Sequence, residues 1–379
     1  NLRIGNSFVK KNISYTNKLY KEYLKYKFKI IEIHNRPESL LYLIKKKVKS
    51  KYSIVVNSAT SALHISCLAL GLTKNDYLWT SSNSFVASAN CALYCNAKID
   101  LVDINLENYN IDVSILEKKL KKAKKQKRLP KIIIPIAFAG YSSDMKKIYQ
   151  LSKKYKFKII EDASHALGGK YKNNMVGSNK YSDLTVFSFH PVKMITTGEG
   201  GAITTNNNNL AKKLYALRSH GIEKNLTKKQ KKNTPWLFNQ NFLGFNYRMT
   251  DIQASLGISQ IKKLNFFIKK RNQIAKIYDK ELKYLPLKLP KIKKNILSSF
   301  HLYVVLVKKN QKKISRNKLY FLLKKKGILT TVHYIPIYKH PYYKKMNFNM
   351  SNFKNNEEYF KNAISIPIYP GIKKKNIFK

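Results

Sequence analysis

Residues 52–72 read YSIVVNSATSALHISCLALGL, and this stretch decides the fold class. A short β-branched run ends at Val56, and the longer Ser- and Ala-rich stretch that follows has the character of a helix. The same alternation recurs along the chain, with further short strand-like runs at 76–82, 98–104, 130–138, 156–162, 185–189 and 201–205. Strands that alternate with helices predict an α/β fold whose mostly parallel sheet is covered by helices.

The length of 379 residues predicts two domains, because it exceeds what one compact core usually holds. We expect a large domain over residues 1–255, of which residues 1–50 are weakly patterned and indicate only helix. A long amphipathic helical stretch begins with GFNYRMTDIQAS and covers residues 244–282, and the boundary falls within it, near residue 255. The remaining pattern of strand, helix and turn predicts a smaller α+β domain over residues 256–379.

The charge balance is strongly basic, with 74 Lys+Arg against 20 Asp+Glu and a net charge of +54. Such an excess is typical of proteins that bind nucleic acids or other polyanions. Here the excess is nearly all lysine and is spread along the chain, whereas nucleic-acid readers concentrate basic residues and often use arginine. We therefore expect solvated lysines and no nucleic-acid partner, and polyanion binding stays open as an alternative.

Three cysteines, Cys67, Cys91 and Cys95, are too few for a disulfide framework in a chain of this length. We expect small buried thiols in a reducing compartment and no metal site, since no further Cys or His lies at ligand spacing. The longest apolar run, which starts at Ile132, is too short to span a bilayer, and no signal peptide is visible. These features predict a cytoplasmic protein without a membrane partner.

Lys193 lies in SFHPVKMITTGEGG at 188–201, after a predicted strand and before a glycine-rich turn. A lysine by itself carries little information in a chain so rich in lysine. Glycines that permit tight turns around a ligand make the segment a candidate site, and a plain connection between strands is the alternative.

Asp162 lies in KIIEDASHALGG at 158–169, at the end of another predicted strand. Parallel α/β sheets bind ligands at the carboxyl ends of their strands. A carboxylate there can keep a pyridine nitrogen protonated, so that the ring accepts electrons, which is the central chemistry of pyridoxal 5′-phosphate (PLP). The alternative is a helix N-cap, because DASHA also has the character of a helix start.

Hydroxyl side chains at Ser58, Thr60 and Ser61 surround the start of the predicted helix after Val56. The free N–H groups and positive dipole end of a helix favour a phosphate, although capping alone would explain one of the three hydroxyls. Phe85 follows the next strand and could stack on a planar ring, although many such aromatics lie in a core.

Together these segments resemble the DegT/DnrJ/EryC1/StrS family of sugar aminotransferases. The resemblance extends from about Ile54 to Pro370, and the matching segments are NSATSALH, SFVASANCALYCNAKIDLVDI, IEDASHALGG, VFSFHPVKMITTGEGGAITT, LRSHGI, GFNYRMTDIQAS and HYIPIY. Within the family, ASANCALYC, DASHALGG and SFHPVK are most similar to the branch that acts in pseudaminic acid synthesis. The resemblance implies the fold type I architecture of PLP-dependent transferases, with a mostly parallel seven-stranded sheet in the large domain and a smaller α+β C-terminal domain.

The resemblance also implies roles for individual residues. Lys193 would form the Schiff base with PLP and later move the proton, and Asp162 would pair with the pyridinium nitrogen. The remaining roles are phosphate binding by Thr60, Ser61 and Ser188, stacking by Phe85, contact near the ring oxygen by His165, contact with the phosphate of a neighbouring subunit by Asn246, and sugar-nucleotide binding by His333 and Tyr334. By itself, a His before a Tyr-Ile-Pro turn is more often structural.

The implied reaction moves an amino group from glutamate to the 4-keto carbon of a UDP-linked 4-keto-6-deoxy-N-acetylhexosamine in a ping-pong sequence. The enzyme would be a homodimer with shared active sites. Relatives that carry histidine at the lysine position are dehydratases, so Lys193 favours transamination. Two alternatives stay open: another NDP-4-keto-deoxysugar as the substrate, and a non-catalytic paralogue that binds polyanions through its net charge of +54.

Overall fold

A computed structural model describes residues 36–223, 234, 236–308 and 314–378 of the chain. Most of the weakly patterned N-terminal segment, residues 1–35, lies outside this range. Helix is present where the segment is described, because α1 spans Arg36–Val48. Among the described residues, none of the helices combines the length and the apolar character that crossing a membrane requires.

Seven strands form the main sheet of the large N-terminal part. They are β1 Tyr52–Val56, β2 Tyr77–Ser81, β3 Lys98–Val102, β4 Ile132–Ile134, β5 Lys158–Asp162, β8 Leu184–Ser188 and β9 Gly201–Thr205. Their order in the sheet is β1-β9-β8-β5-β4-β2-β3. The pairs β2–β3, β2–β4, β4–β5 and β5–β8 are parallel, and β9 runs antiparallel to β1 and β8. The predicted α/β fold with a mostly parallel seven-stranded sheet is therefore confirmed.

Helices cover both faces of this sheet, and side-chain caps set where several of them begin. The helices are α2 Ala59–Ala69, α3 Ala87–Tyr94, α4 Val113–Lys125, α5 Met145–Tyr155 and α6 Asn208–Arg218. Ser58 caps α2, Asp112 caps α4 and Asn207 caps α6, and each side chain accepts a hydrogen bond from a backbone N–H in the first turn. A cap of this kind stabilises a helix by about 1 kcal/mol.

The central strands are apolar on both faces because both faces are covered. Ile160 of β5 packs in the cluster under α2, whereas its neighbour Ile159 packs in the cluster under α4 and α5. Both side chains are fully buried. Strands covered on both sides have continuous apolar sequences without polar alternation, which explains the β-branched runs in the sequence. All three cysteines are free and buried.

The long helix α7, Asp251–Leu282, begins later than the sequence pattern indicated. Thr250 and Gln253 form a capping box at its start. Before the cap, the N–H groups of Phe245 and Tyr247 donate to the carbonyls of Leu217 and Arg218, so residues 244–249 run beside the end of α6 and are not helical. The capping box is the physical reason for the start, since it satisfies the first free N–H groups.

Beyond α7 the chain forms a second, smaller sheet with helices beside it. The strands and helices of this part are β12 Leu287–Lys288, β14 Tyr303–Val307, α8 Arg316–Lys325, α9 Pro341–Lys344, α10 Lys354–Asn362, β15 Ala363–Ile366 and α11 Lys374–Ile377. The sheet is three-stranded and antiparallel, in the order β12-β14-β15. The remaining short strands are β6 Lys170–Tyr171, β7 Asn174–Met175, β10 Ile222–Glu223, β11 Asn239–Gln240 and β13 Ile296–Leu297. The partition into domains 1–255 and 256–379 stays a prediction.

Asp103, just after β3, links helix α10 to the large sheet through hydrogen bonds. Its carboxylate accepts hydrogen bonds from the backbone N–H groups of Ile104 at 2.8 Å, Asn355 at 2.9 Å and Asn356 at 3.0 Å. Asn355 and Asn356 lie in the first turn of α10, whose N–H groups have no partner inside the helix. A side chain 252 residues away from Asn355 in sequence therefore serves as the cap of this helix.

Candidate active site

Asp162 ends β5 and lies at the carboxyl edge of the parallel strands, where its side chain is 6% exposed. Oδ2 accepts a hydrogen bond from Ser88 Oγ at 2.7 Å, and Oδ1 accepts one from Ser164 Oγ at 2.6 Å and one from Ser164 N at 3.1 Å. Residues 163–168 form turns, so no helix begins here and the N-cap interpretation is wrong. The carboxylate is held in a fixed orientation at a strand end.

Lys193 follows β8, the strand next to β5 in the sheet. Burial lowers the pKa of its amine from 10.5 to about 8, and the nearby Asp162 carboxylate opposes that shift. Desolvation removes water from the ammonium form, so the neutral amine is more populated than in an exposed lysine. An amine with this pKa is a suitable nucleophile toward a carbonyl carbon.

The start of helix α2 and the end of β8 meet at Gly201. Gly201 pairs with Val56 on one side and with Ser188 on the other. A Cβ atom at residue 201 would lie 2.7 Å from the backbone N of Ala59, so a side chain there would displace the start of α2. Because Gly201 lacks a side chain, the first turn of α2 can lie directly against β9, the strand that pairs with β8 at Ser188.

Ser58 is the cap of α2, as capping alone would require, and accepts a hydrogen bond from the Ser61 N–H at 3.0 Å. Ser61 Oγ lies 2.6 Å from its acceptor, Asn57 Oδ1. Thr60 lies in the same first turn and is partly exposed. The structure therefore places Thr60 and Ser61 in the first turn of α2 and Ser188 on the strand that pairs with Gly201 beside this helix N-terminus, which is a favourable environment for an anion.

His165 and Tyr334 lie on the other side of Asp162 and contact each other. Nε2 of His165 is 3.1 Å from the Tyr334 hydroxyl, although 169 residues separate the two in sequence. Burial lowers the pKa of His165 well below its usual value, and the charge of Lys193 lowers it further. Burial raises the pKa of Tyr334, with a contribution from Asp162. Both side chains are therefore neutral near pH 7.

His333 also belongs to this group, and its Nδ1 lies 2.9 Å from the hydroxyl of Ser365. Burial lowers the pKa of His333 to about 4, and Lys193 contributes to the shift. Its carbonyl accepts a hydrogen bond from the Tyr359 hydroxyl. His333 is thus a neutral imidazole in the same electrostatic environment as Lys193.

Phe85 follows β2 and is 58% exposed, so it is not a core residue. Its ring centroid is 6.1 Å from that of Tyr334. An exposed aromatic beside buried polar groups offers a free face to a planar ligand.

Asn246 is exposed and forms an isolated antiparallel bridge with Ser219. The carbonyl of the next residue, Tyr247, accepts a hydrogen bond from the Asn57 N–H at 2.9 Å, next to the cap of α2. The structure describes one chain, so the proposed contact of Asn246 with a neighbouring subunit stays a prediction.

Further site residues carried no recognised signal in the sequence. Ser88 and Ser164 hold Asp162, and the backbone N–H of Tyr334 donates to Asn83 Oδ1 at 3.2 Å. The ring of His301 packs 4.3 Å from the ring of His165. Ser164 alone could have been found, because a Ser two residues after an Asp at a strand end is a common turn pattern.

The combined set of side chains suits PLP. A phosphorylated pyridine needs a carboxylate for the ring nitrogen, an amine for the aldehyde, N–H and hydroxyl donors for the phosphate, and an apolar face for the ring. The start of α2, Lys193, Asp162 and Phe85 supply these groups, and the strands that precede them follow in that order along the sheet. Within the described ranges, the acidic, His and Cys side chains form no group of three that could hold a metal ion.

Comparison with known proteins agrees with this description. The chain is 41% identical over 320 residues to the UDP-4-amino-4,6-dideoxy-N-acetyl-beta-L-altrosamine transaminase of Campylobacter jejuni, covering 84% of this chain and 81% of that protein. The fold is similar to Helicobacter pylori PseC, an aminotransferase involved in the biosynthesis of pseudoaminic acid, with 31% identity, a TM-score of 0.81 and coverage of 96% and 93% of the two chains.

The PLP form of the Streptococcus pneumoniae protein Spr1654 is also similar in structure. It has 27% identity, a TM-score of 0.80 and coverage of 90% of this chain and 88% of that chain. The family model of the DegT/DnrJ/EryC1/StrS aminotransferases matches residues 37–379, nearly the whole of the described chain. This protein, with the fold of the PLP-dependent aminotransferases, belongs to the DegT/DnrJ/EryC1/StrS aminotransferase family.

Proposed function

We propose that this chain is a PLP-dependent transaminase that moves an amino group from glutamate to the 4-keto carbon of a UDP-linked 4-keto-6-deoxy-N-acetylhexosamine. The observation that carries the proposal is the partly buried Lys193 amine, with a pKa of about 8, whose charge interacts with the fixed carboxylate of Asp162. The names of the Campylobacter and Helicobacter relatives support the choice of sugar and a place in pseudaminic acid synthesis.

When bound, PLP supplies an electron-accepting ring that stabilises negative charge on the carbon bonded to the transferred nitrogen. The roles of the protein are to bind, to orient and to move protons. Asp162 keeps the ring nitrogen protonated, and Lys193 Nζ takes and returns the proton at the reacting carbon. Because the pKa of Lys193 is about 8, its amine can do both near neutral pH.

The start of α2 and the hydroxyls of Thr60, Ser61 and Ser188 bind the phosphate and fix the position of the ring. Phe85 covers one face of the ring and excludes water from it. His333 and Tyr334 line the side on which the sugar enters. We also propose a homodimer in which Asn246 reaches the phosphate bound by the neighbouring subunit, because Asn246 is exposed and lies in the segment beside α6.

The first test is spectroscopic. Purified protein incubated with PLP and then desalted should keep visible absorbance, which should shift when glutamate is added. Lys193→Ala should lose this absorbance. Lys119→Met is the matched control, because Lys119 is also a partly buried lysine with a lowered pKa but lies on α4 beside Asp100. Protein that stays colourless with excess PLP contradicts the proposal.

The second test identifies the substrate. The glutamate-treated protein should be incubated with a panel of UDP-4-keto sugars, and mass spectrometry should detect an amino sugar and 2-oxoglutarate in equal amounts. Turnover of only a different NDP-4-keto sugar would leave the transaminase proposal intact and exclude the acetamido sugar named here. Absence of PLP binding together with steeply salt-dependent RNA binding would favour the polyanion-binding alternative.

A further inference from the structure

Both ring nitrogens of His165 form hydrogen bonds with other groups of the protein. The backbone N–H of Ala139 donates to Nδ1 at 3.3 Å, and Nε2 lies 3.1 Å from the Tyr334 hydroxyl. A backbone N–H can only donate, so Nδ1 carries a lone pair and the proton of the neutral ring is on Nε2. Nε2 therefore donates to Tyr334, and His165 has no further hydrogen to offer to a ligand.

The Tyr334 hydroxyl, in contrast, keeps its own proton available. The hydroxyl accepts a hydrogen bond from Nε2 of His165. It stays protonated near neutral pH because burial raises its pKa. The position of the residue is fixed by the hydrogen bond from its backbone N–H to Asn83 Oδ1. Tyr334 is thus an oriented hydroxyl donor, and the charge of Asp162 contributes to its raised pKa.

The order of the strands shows which side of Asp162 this donor occupies. Along the sheet order β1-β9-β8-β5-β4-β2-β3, the start of α2 and Ser188 lie toward β1 and β8. Ala139 follows β4 and Asn83 follows β2, on the opposite side of β5. The phosphate-binding groups and the Tyr334 hydroxyl therefore flank Asp162 from two sides.

The chemical structure of PLP has the same arrangement. The ring nitrogen and the aldehyde carbon lie at opposite ends of the ring, and the phosphate arm and the hydroxyl lie on its two opposite edges. With the nitrogen at Asp162, the aldehyde at Lys193 and the phosphate at α2, the ring hydroxyl faces the side of His165 and Tyr334. We propose that Tyr334 is the hydrogen-bond donor to the cofactor ring oxygen and that His165 is a positioning residue that orients it.

This inference rests on the proposed function, because it concerns the cofactor. It changes the role that the family resemblance implied for His165, and it gives Tyr334 a contact with the cofactor besides its place on the sugar side. Residues 299–301, which precede β14, contact His165. Ser299 Oγ donates to the His165 carbonyl at 2.6 Å, and the His301 ring packs at 4.3 Å. Arg271 of α7 holds this segment, since its Nη1 donates to the carbonyls of Phe300 at 3.0 Å and His301 at 3.2 Å.

The test uses the pH dependence of the visible absorbance of the PLP-loaded protein without substrate. A hydrogen-bond donor stabilises the anionic form of the ring oxygen. Without the donor, the ring oxygen and the Lys193 nitrogen bind their shared proton more tightly, and the pKa of this proton rises. Tyr334→Phe should therefore move the midpoint of the absorbance change to higher pH by roughly one unit. His165→Phe should cause a smaller shift in the same direction, and His165→Gln, whose amide can donate to Tyr334, should restore most of it.

Tyr338→Phe is the matched control, because it also removes a buried hydroxyl that hydrogen-bonds, in this case to Glu357 at 2.9 Å. This control should leave the midpoint unchanged. A Tyr334→Phe protein that binds PLP with the wild-type midpoint would overturn the inference and leave the proposed function standing. The inference also fails if Tyr334→Phe alters only the KM for the sugar. A wild-type protein that binds no PLP would overturn both.

Discussion

The hydroxyl of Ser88 lies 2.7 Å from Oδ2 of Asp162, so a side chain on the helix after β2 fixes the carboxylate at the end of β5. Ser88 Oγ also lies 3.0 Å from Ser84 Oγ, which restrains the hydroxyl in turn. With Ser164 on the other oxygen, the carboxylate is oriented before any ligand arrives. Groups that support a site residue in this way reduce the cost of ordering it on binding.

Ser88→Ala should weaken PLP binding by about tenfold and lower the free energy of unfolding by about 1–2 kcal/mol, because a buried carboxylate oxygen loses a partner. Titration with PLP and urea unfolding measure the two effects. Ser53→Ala is the control, since the Ser53 hydroxyl is buried with no partner in the described part of the chain. Equal PLP affinities for Ser88→Ala and wild type would show that Ser88 does not orient Asp162.

Lys193→Met should make the cofactor-free protein more stable at pH 7. The pKa of the amine falls from 10.5 to about 8 on folding, so between these values the unfolded chain binds more protons and stability rises with pH. Below pH 8 the partly buried ammonium costs up to about 3 kcal/mol. Urea unfolding at several pH values should show the gain at pH 7 and its disappearance near pH 10.5.

Lys46→Met, which removes an exposed lysine from α1, is the matched control variant. A Lys193→Met protein that is less stable than wild type at pH 7 would contradict the cost assigned to the buried amine.

Gly201→Ala should reduce the affinity for PLP at least about tenfold and affect pyridoxal, which lacks the phosphate, much less. The added methyl group would lie 2.7 Å from the backbone N of Ala59 and displace the start of α2. The ratio of the two affinities is the measurement. Gly371→Ala is the control, because the nearest atom to its Cβ is 4.0 Å away. Equal losses for the two ligands would place the phosphate elsewhere.

Asp103→Ala should lower the free energy of unfolding by about 2 kcal/mol, because three backbone N–H groups lose their acceptor. Asp103→Asn keeps one acceptor oxygen and should lose less. Urea unfolding measures both, with Glu107→Ala at an exposed position as the control. Stability equal to wild type in Asp103→Ala would mean that water caps α10 equally well.

The sequence predicted those features that depend on local pattern. The strands around Ile159 and Ile160 were visible because both faces are buried, and Asp162 and Lys193 were visible because each follows such a strand. The start of α7 was misplaced, because residues 244–249 pair with the end of α6, a contact between segments about 30 residues apart in the chain.

The partners of His165 could not be predicted for a similar reason. Ala139, His301 and Tyr334 come from three separate parts of the chain, and no periodicity links them to His165. The proposed role of Asn246 involves a second subunit, and no pattern within one chain describes such a contact. Sequence reasoning thus selected His165 and Tyr334 as individual residues but did not predict the hydrogen bond between them.

The hydrogen bond between His165 and Tyr334 joins residues 169 positions apart, and this separation has a consequence for biosynthesis. A ribosome completes the segment with Asp162 and Lys193 well before it adds Tyr334. Contacts between such distant residues form late, after the intervening chain has ordered. The hydrogen bond between His165 and Tyr334 therefore forms only after at least 169 further residues have followed His165 out of the ribosome.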